Sequence, residues 1–408
     1  MDIALVNRLN QTTNLGSLKE IARTWIQRSG TRPFDFRLYV DTFGTSRSFT
    51  PPPLEGLIHL IDLLLTACNR WRYVKIDING YSRSNVDLKN WIDVGTFYFP
   101  KLHHLSISAD RDVFQLLNRR FNIKPSMTPA LQSVDINGGE ANPAARPLDV
   151  SFDVLAKVSI SVFESWEDIF GVVSQCIRVQ ELDIHMGFLA AQPPFSQTID
   201  VHLPQLSSLR VISWNRFDGL LDGFTFPSLQ SLDIRLDWEE YDRDEQGVEI
   251  TMGAPRWPQS AFHGFITRSS CSITELFLSD IELDSRELAM IITSVHVSLR
   301  RLYVKGFGRD DVPFVDDSVL YLLTWDNKRP ANICPLLDRI EFVDCLTFSQ
   351  GVFARMVMSR IGGIEGVANL DEVHVRCRSE HAVTQMDILT DFSIVKEILP
   401  GFRVASGW

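Results

Sequence analysis

The sequence contains few cysteines, and none of them form a closely spaced pair. Its six cysteines are scattered along 408 residues, and no two are separated by only two others. Disulfide scaffolds and CxxC zinc sites need a denser or more regular spacing. We therefore predict reduced, buried thiols, with neither a disulfide framework nor a metal site.

An excess of basic residues and long apolar runs are also missing. The chain has 40 Lys and Arg against 51 Asp and Glu, a net charge of −11, so no nucleic acid partner is expected. The most apolar window, residues 57–67, contains His59 and Asp62 and is too short to span a membrane. A secretory signal requires a basic stretch followed by an apolar run, and the N-terminus of this sequence shows no such pattern. We expect a cytoplasmic or nuclear protein without a membrane partner.

The motifs of common enzyme classes are absent as well. The sequence has no HExxH, GxSxG, P-loop or GxGxxG. Residues 242–247 resemble the first half of a calcium-binding EF-hand loop, but Gly253 occupies the twelfth position, where a bidentate glutamate is required. We predict no enzymatic activity, no cofactor and no bound metal. An enzyme assembled from Ser, His and Asp residues distant in sequence is the alternative.

The sequence does contain a repeated phrase. Residues 203–211, LPQLSSLRV, return 23 residues later as residues 226–234, FPSLQSLDI. Repetition at a period of this length, with apolar residues at fixed offsets, indicates a solenoid. We call the shared pattern, apolar-x-x-apolar-x-apolar, the repeat phrase.

About eleven copies of the repeat phrase can be traced along the chain. Their first apolar residues are Trp71, Leu102, Leu131, Leu155, Val179, Leu206, Leu229, Ile273, Leu299, Leu337 and Leu370. The last three positions of each copy alternate as a short strand does. Amphipathic stretches between the copies predict helices over residues 164–176, 260–270, 284–295, 316–325, 349–361 and 384–399. Several of these begin with a Ser or Asp that would serve as N-cap.

Strands that alternate with helices indicate an α/β fold with parallel packing. We predict a leucine-rich-repeat solenoid of about eleven irregular strand-helix repeats, curved, with a parallel β-sheet on its concave face. An eight-fold β/α barrel is the alternative. Against it stand the number of copies and a shortest spacing of 23 residues, which is too little for a barrel unit.

The pattern also divides the chain into parts. Residues 1–30 are predicted to form an N-terminal capping helix, residues 31–380 the repeat array, and residues 381–408 a C-terminal capping helix and tail. An acidic insertion, residues 237–258, interrupts the array and carries Trp238, Tyr241 and Trp257. It reads either as a solvated loop or as a surface for a basic partner.

One residue of each predicted strand lies between two buried neighbours and therefore faces away from the core. This ladder consists of Lys75, Ser106, Asp135, Ser159, Asp183, Arg210, Asp233, Phe277, Tyr303, Glu341 and His374. Residues just after the strands include Asn137, His185, Arg235, Lys305 and Arg376. Two aromatics on successive strands, Phe277 and Tyr303, would form a protein-binding anchor beside Arg235 and Lys305. The alternative is that the ladder only keeps this face soluble.

Four further motifs accompany the repeat phrase. They are WIQRSGTRP at 25–33, CNRWR at 68–72, FITRSSC at 265–271 and MSR at 358–360. In this order and spacing, from about residue 18 to 400, the chain resembles the repeat region of basidiomycete F-box proteins. That resemblance implies a module that presents protein substrates to a cullin-based ubiquitin ligase.

In that family, an N-terminal F-box of about 45 residues docks a Skp-type adaptor. The segment before residue 18 has no room for a three-helix F-box, which puts this adaptor in doubt as a partner. We therefore expect a protein-binding module that resembles the substrate-recognition region of such receptors, with an unknown protein target. A stand-alone interaction or scaffold protein with no role in ubiquitin transfer is the alternative.

Overall fold

The chain divides into two compact units, Met1–Ala191 and Gln192–Trp408. The computed structural model describes the residues named at the end of this paragraph, and all structural statements refer to them. They are residues 2–8, 15–41, 54–79, 97–109, 113–114, 117–118, 121, 124–138, 150–161, 166–186, 201–213, 218–236, 257–306, 314–329, 332–362, 366–378 and 386–407.

In the described part of the first unit, seven parallel strands pair in the order of the sequence. These strands are β1 (Asp2–Arg8), β2 (Phe34–Asp41), β3 (Trp71–Asn79), β4 (His104–Ala109), β5 (Ser133–Gly138), β6 (Lys157–Ser161) and β7 (Glu181–Met186). The helices are α1 (Leu15–Arg28), α2 (Leu54–Leu65) and α3 (Trp166–Val173). Short 3-10 turns precede β3, β5 and β6 at Cys68–Arg70, Pro125–Met127 and Phe152–Val154.

The second unit repeats this plan with more helices. Its described strands are β8 (Val201–His202), β9 (Ser208–Ser213), β10 (Phe224–Thr225), β11 (Ser231–Leu236), β12 (Glu275–Ser279), β13 (Arg301–Lys305), β14 (Arg339–Val343), β15 (Glu372–Arg378) and β16 (Phe402–Gly407). Its helices are α4 (Asp218–Gly223), α5 (Gln259–Ser269), α6 (Ser285–Val295), α7 (Asp317–Leu323), α8 (Val352–Met358) and α9 (Met386–Ile398). Strands β9 and β11–β16 form one parallel sheet, and β8 and β10 pair separately.

One side of each sheet is apolar and buried. In the second unit the register aligns Leu209, Leu232, Leu276, Leu302, Ile340 and Val373 in one row across β9 and β11–β15, and all are buried. The first apolar residue of every repeat phrase is buried as well, including Trp71, Leu206 and Leu370. Successive residues of a strand point to opposite sides, so this burial leaves the alternate residues on a polar side.

A recurring hydrogen-bond pattern sets the register between successive strands. The carbonyl of Gln230 accepts both Thr274 N (2.7 Å) and Glu275 N (3.0 Å), where β12 begins. In the same way the carbonyl of Thr274 accepts two N–H groups at the start of β13. We call a carbonyl that accepts two successive N–H groups at the start of the next strand a bifurcated carbonyl step. Such steps also occur at the carbonyls of His103, Gln132, Ala156, Ser207, Arg300 and Asp338. Each step fixes the next strand to the previous one, whatever the length of the chain between them.

Both described sheets are open. Within the residues described, β1 does not pair with β7, and β9 does not pair with β16. The barrel alternative needs first and last strands to pair, so it is wrong for either unit. An α/β architecture with parallel strands is confirmed.

The chain ends differ from the prediction. The predicted helix over 1–30 occupies only Leu15–Arg28, because residues 2–8 extend along β2 and pair with it as strand β1. The predicted C-terminal tail contains β16, which pairs with β15. Leu399, Phe402 and Val404 repeat the phrase apolar-x-x-apolar-x-apolar, so the sequence carried this signal.

Two further predictions stay open. The last three residues of all eleven predicted repeat phrases lie in strands β3–β7, β9 and β11–β15. The number of repeats stays a prediction, because parts of the segments that join β3 to β4 and β5 to β6 lie outside the described residues. The acidic insertion also lies outside the described residues, except for Trp257 and Pro258. Trp257 is buried against Phe262, with ring centroids 5.2 Å apart, so it belongs to the core.

Candidate binding face

The polar side of the second unit's sheet brings the predicted site residues into one row. Strand register places them side by side across β9 and β11–β15, in the order Arg210, Asp233, Phe277, Tyr303, Glu341 and His374. Arg403 of β16 continues the row next to His374. We call this side of β9 and β11–β16 the candidate face.

Phe277 and Tyr303 form an aromatic pair at the centre of the candidate face. Their ring centroids are 5.9 Å apart at an interplanar angle of 39°, and both side chains are half-buried. Arg301 lies two residues before Tyr303, and its Cζ is 5.7 Å from the centroid of the Phe277 ring. This is cation–π distance, so one ring face is already covered by the protein's own cation. Burial raises the pKa of Tyr303, and Glu341 adds to the rise.

Asp233 is clamped by two arginines. Arg210 Nε donates to Asp233 Oδ2 at 2.9 Å, while Arg235 Nε and Nη2 donate to the two carboxylate oxygens at 2.8 Å each. The bidentate hydrogen bond to Asp233 raises the pKa of Arg235. The prediction that the side chain of Asp233 is exposed is wrong, because the side chains of its neighbours leave Asp233 only 5% exposed.

Lys305 and Glu341 are also partnered. Lys305 Nζ donates to Asp280 Oδ2 at 2.8 Å, and the same oxygen accepts a hydrogen bond from the Ser279 hydroxyl at 2.5 Å. Glu341 Oε2 lies 3.9 Å from His374 Nδ1. The hydrogen bond to Asp280 orients the Lys305 ammonium group next to the aromatic pair.

The neighbouring row, nearer the start of the strands, is built in the same way. Arg301 Nη1 lies 3.0 Å from Glu275 Oε1, and Arg339 Nη1 lies 3.4 Å from Glu372 Oε2. The row therefore has two adjacent arginines at its centre, each paired with the glutamate on its outer side. Arg301 was missed by the sequence reasoning, which followed the middle position of each phrase and the residues just after the strand, but not the residues before it. Continuing the alternation by two residues would have placed it on the same face.

The first unit presents a polar row without an aromatic centre. The register aligns Lys75, Ser106, Asp135, Ser159 and Asp183 across β3–β7. The Ser106 hydroxyl donates to Asp135 Oδ2 at 2.9 Å and is buried. His104 Nδ1 and Ser133 Oγ lie 3.0 Å apart on the same side of this sheet. The predicted ladder is thus continuous within this unit, but the aromatic pair belongs to the second one.

The described ranges show neither a cluster of metal-ligating side chains nor a membrane-spanning helix. They contain no group of three or more His, Cys, Asp or Glu side chains able to hold a metal ion. None of the helices in those ranges is both long and apolar enough to cross a membrane.

Comparison with known proteins does not assign a family. No protein-family model matches the sequence, and a search of curated proteins finds no match.

Proposed function

We propose that this chain is a leucine-rich-repeat protein-binding module whose partner docks on the candidate face around Phe277 and Tyr303. The observation that carries the proposal is the half-buried aromatic pair in the middle of an otherwise charged sheet. Aromatic side chains surrounded by polar residues are typical of binding hot spots. The recurring carbonyl steps and in-register strands support a repeat solenoid as the scaffold.

Preorganisation supports the same proposal. Arg301 holds Phe277, and the Asp233 clamp and the Lys305–Asp280 pair fix the surrounding cations. Side chains that are already in ion pairs have less conformational freedom to lose when a partner docks, which lowers the cost of binding.

The sequence resemblance adds a biological role to this proposal. As in basidiomycete F-box proteins, the module would present bound substrates for ubiquitin transfer. A stand-alone scaffold would use the same face without that step. Recovery of a Skp-type adaptor together with the chain distinguishes the two roles.

The test is a quantitative pull-down with the double variant Phe277→Ala/Tyr303→Ala beside wild type. We expect partners of wild type to lose about 2 kcal/mol of binding free energy, or about thirtyfold in affinity, when both rings are truncated. Tyr98→Ala/Tyr321→Ala is the matched control, since it removes two exposed tyrosines outside the candidate face. Equal partner recovery by both double variants, with wild-type circular dichroism, would refute the proposal.

A further inference from the structure

Cations on the candidate face differ in their pairing from one end to the other. Towards β9 they are in ion pairs, since Arg210 and Arg235 share Asp233 and Arg301 pairs with Glu275. Towards β16, the exposed side chains of Arg376 and Arg403 form no ion pair with another described residue. Because Glu372 pairs with Arg339, Arg376 and Arg403 are the cations at this end that a partner's carboxylates can reach without breaking a described ion pair, on a chain whose net charge is −11.

These two cations lie within reach of the aromatic pair. Arg403 is three strands from Tyr303 in the same row, which corresponds to about 14 Å at the usual strand spacing. Arg376 is close enough to Tyr303 to oppose the rise in the pKa of that phenol. An extended peptide advances about 3.4 Å per residue, so about four residues separate a group at Tyr303 from one at Arg403.

We infer that the partner is an acidic protein segment, which places an apolar side chain on Phe277 and Tyr303 and carboxylates on Arg376 and Arg403. This inference rests on the proposed function and adds the chemistry of the partner. An acidic segment is repelled by most of this acidic chain and attracted at this end, which favours one docking orientation. A nucleic acid fits less well, because Glu341 and Glu372 lie among the cations and would repel a continuous phosphate backbone.

The test uses fluorescently labelled peptides of 12 residues and the full chain. Each peptide carries one Trp. The third, fourth and fifth residues after the Trp are all Glu in the first version, all Gln in the second and all Lys in the third, and the three versions are otherwise identical. A single-stranded oligothymidylate of 12 nucleotides is the fourth probe. Binding is measured by fluorescence anisotropy at low and at raised salt.

We expect the Glu peptide to bind most tightly and to weaken as salt is raised. Arg376→Gln/Arg403→Gln should lower its affinity about fivefold, as expected for two exposed ion pairs, and leave the Gln peptide unchanged. Arg286→Gln/Arg355→Gln is the charge-matched control, because it removes two exposed arginines from α6 and α8. This control should bind the Glu peptide as wild type does.

Failure of this inference is distinguishable from failure of the proposed function. Equal affinity for the Glu and Gln peptides, tighter binding of the Lys peptide or the oligonucleotide, or no binding of any probe overturns the acidic partner. If in the first three cases Phe277→Ala/Tyr303→Ala still abolishes binding, the candidate face itself stands. A double aromatic variant that behaves as wild type here and in the pull-down rejects both.

Discussion

Three arginines each donate to a carbonyl in the last turn of an α-helix, where intrahelical partners are missing, and to one or two further carbonyls. Arg360 is 1% exposed and donates to the carbonyls of Leu323 (2.6 Å), Cys334 (2.8 Å) and Ile333 (2.9 Å). Arg268 reaches the carbonyls of Leu221 in α4 and of Phe224 just after it, and Arg70 those of Ile26 in α1 and of Gly30 just after it. All three belong to the short motifs that accompany the repeat phrase, which gives those motifs a structural role.

Arg360 is the most buried of the three, so its loss should be costly. Arg360→Met keeps much of the side-chain volume but removes the guanidinium donor from the carbonyls of Leu323 and Ile333, while the Cys334 carbonyl keeps only the Leu337 N–H. We expect the free energy of unfolding to fall by about 3 kcal/mol. Urea unfolding followed by circular dichroism measures the change.

Arg355→Met is the matched control for this variant, because Arg355 is exposed on α8 a little over one turn earlier. We expect its unfolding free energy to stay within about 0.5 kcal/mol of wild type. If the two variants are equally stable, Arg360 is not the group that holds this helix end.

At the scale of elements, helix ends also depend on residues far away in sequence. Asp391 of α9 is fully buried, and its carboxylate accepts Gly351 N (2.7 Å) and Ala354 N (3.0 Å) at the start of α8. Gly351, the N-cap residue of α8, has φ +84°, and as a glycine it has no side chain that could cap the helix. One helix is therefore capped by another.

Asp391→Ala should destabilise the chain by about 2 kcal/mol, because it removes a buried cap and leaves two N–H groups unpaired. Asp284→Ala removes a cap of the ordinary kind, in which Asp284 binds Glu287 N at 2.6 Å, and should cost about 1 kcal/mol. Hydrogen exchange should show faster exchange of α8 amides in the first variant and of α6 amides in the second. Unchanged α8 exchange in Asp391→Ala would contradict the cap.

These two caps show what the sequence could predict. Asp284 and Asp316 stand directly before their helices, so the local pattern predicted both. Asp391 is 40 residues from Gly351, and no local rule connects them. Of the strands with a full repeat phrase, eleven were predicted and β16 was missed, whereas β1 was not traced by the phrase and is specified by its pairing with β2.

The candidate site likewise has features that the local sequence pattern predicted and features that it did not. Alternation placed Phe277 and Tyr303 on one side of successive strands, and the register confirms that they are neighbours. Alternation alone could not show that Asp233 is enclosed by Arg210 and Arg235, since that depends on the conformations of the two long arginine side chains. Face and register follow from the backbone, but ion pairing does not.

Over the whole molecule, the six cysteines are free, four of them buried and two half-buried. Burial raises the pKa of Cys176 and Cys334 to about 12 and of Cys271 and Cys377 to about 11. The pKa values of Cys68 and Cys345 are raised by burial as well. Thiolates are the reactive form, so native thiols should be nearly inert at neutral pH.

Alkylation with iodoacetamide, followed by intact mass spectrometry, tests this prediction. We expect little modification of the native chain at neutral pH and six modifications in denaturant. Because Cys271 and Cys377 are half-buried while the other four cysteines are buried, these two should react first as the solution becomes more alkaline. Rapid alkylation of any native cysteine at neutral pH would contradict the burial described for it.

The bifurcated carbonyl steps have a consequence for how such a chain evolves. Contacts between successive strands join residues as close as 23 and as far as 44 positions apart, yet the step at the strand start is the same. Insertions and deletions between steps leave the register of the next strand untouched. Lineages of such a chain can therefore change length at every turn while the order of side chains on the sheet is inherited intact.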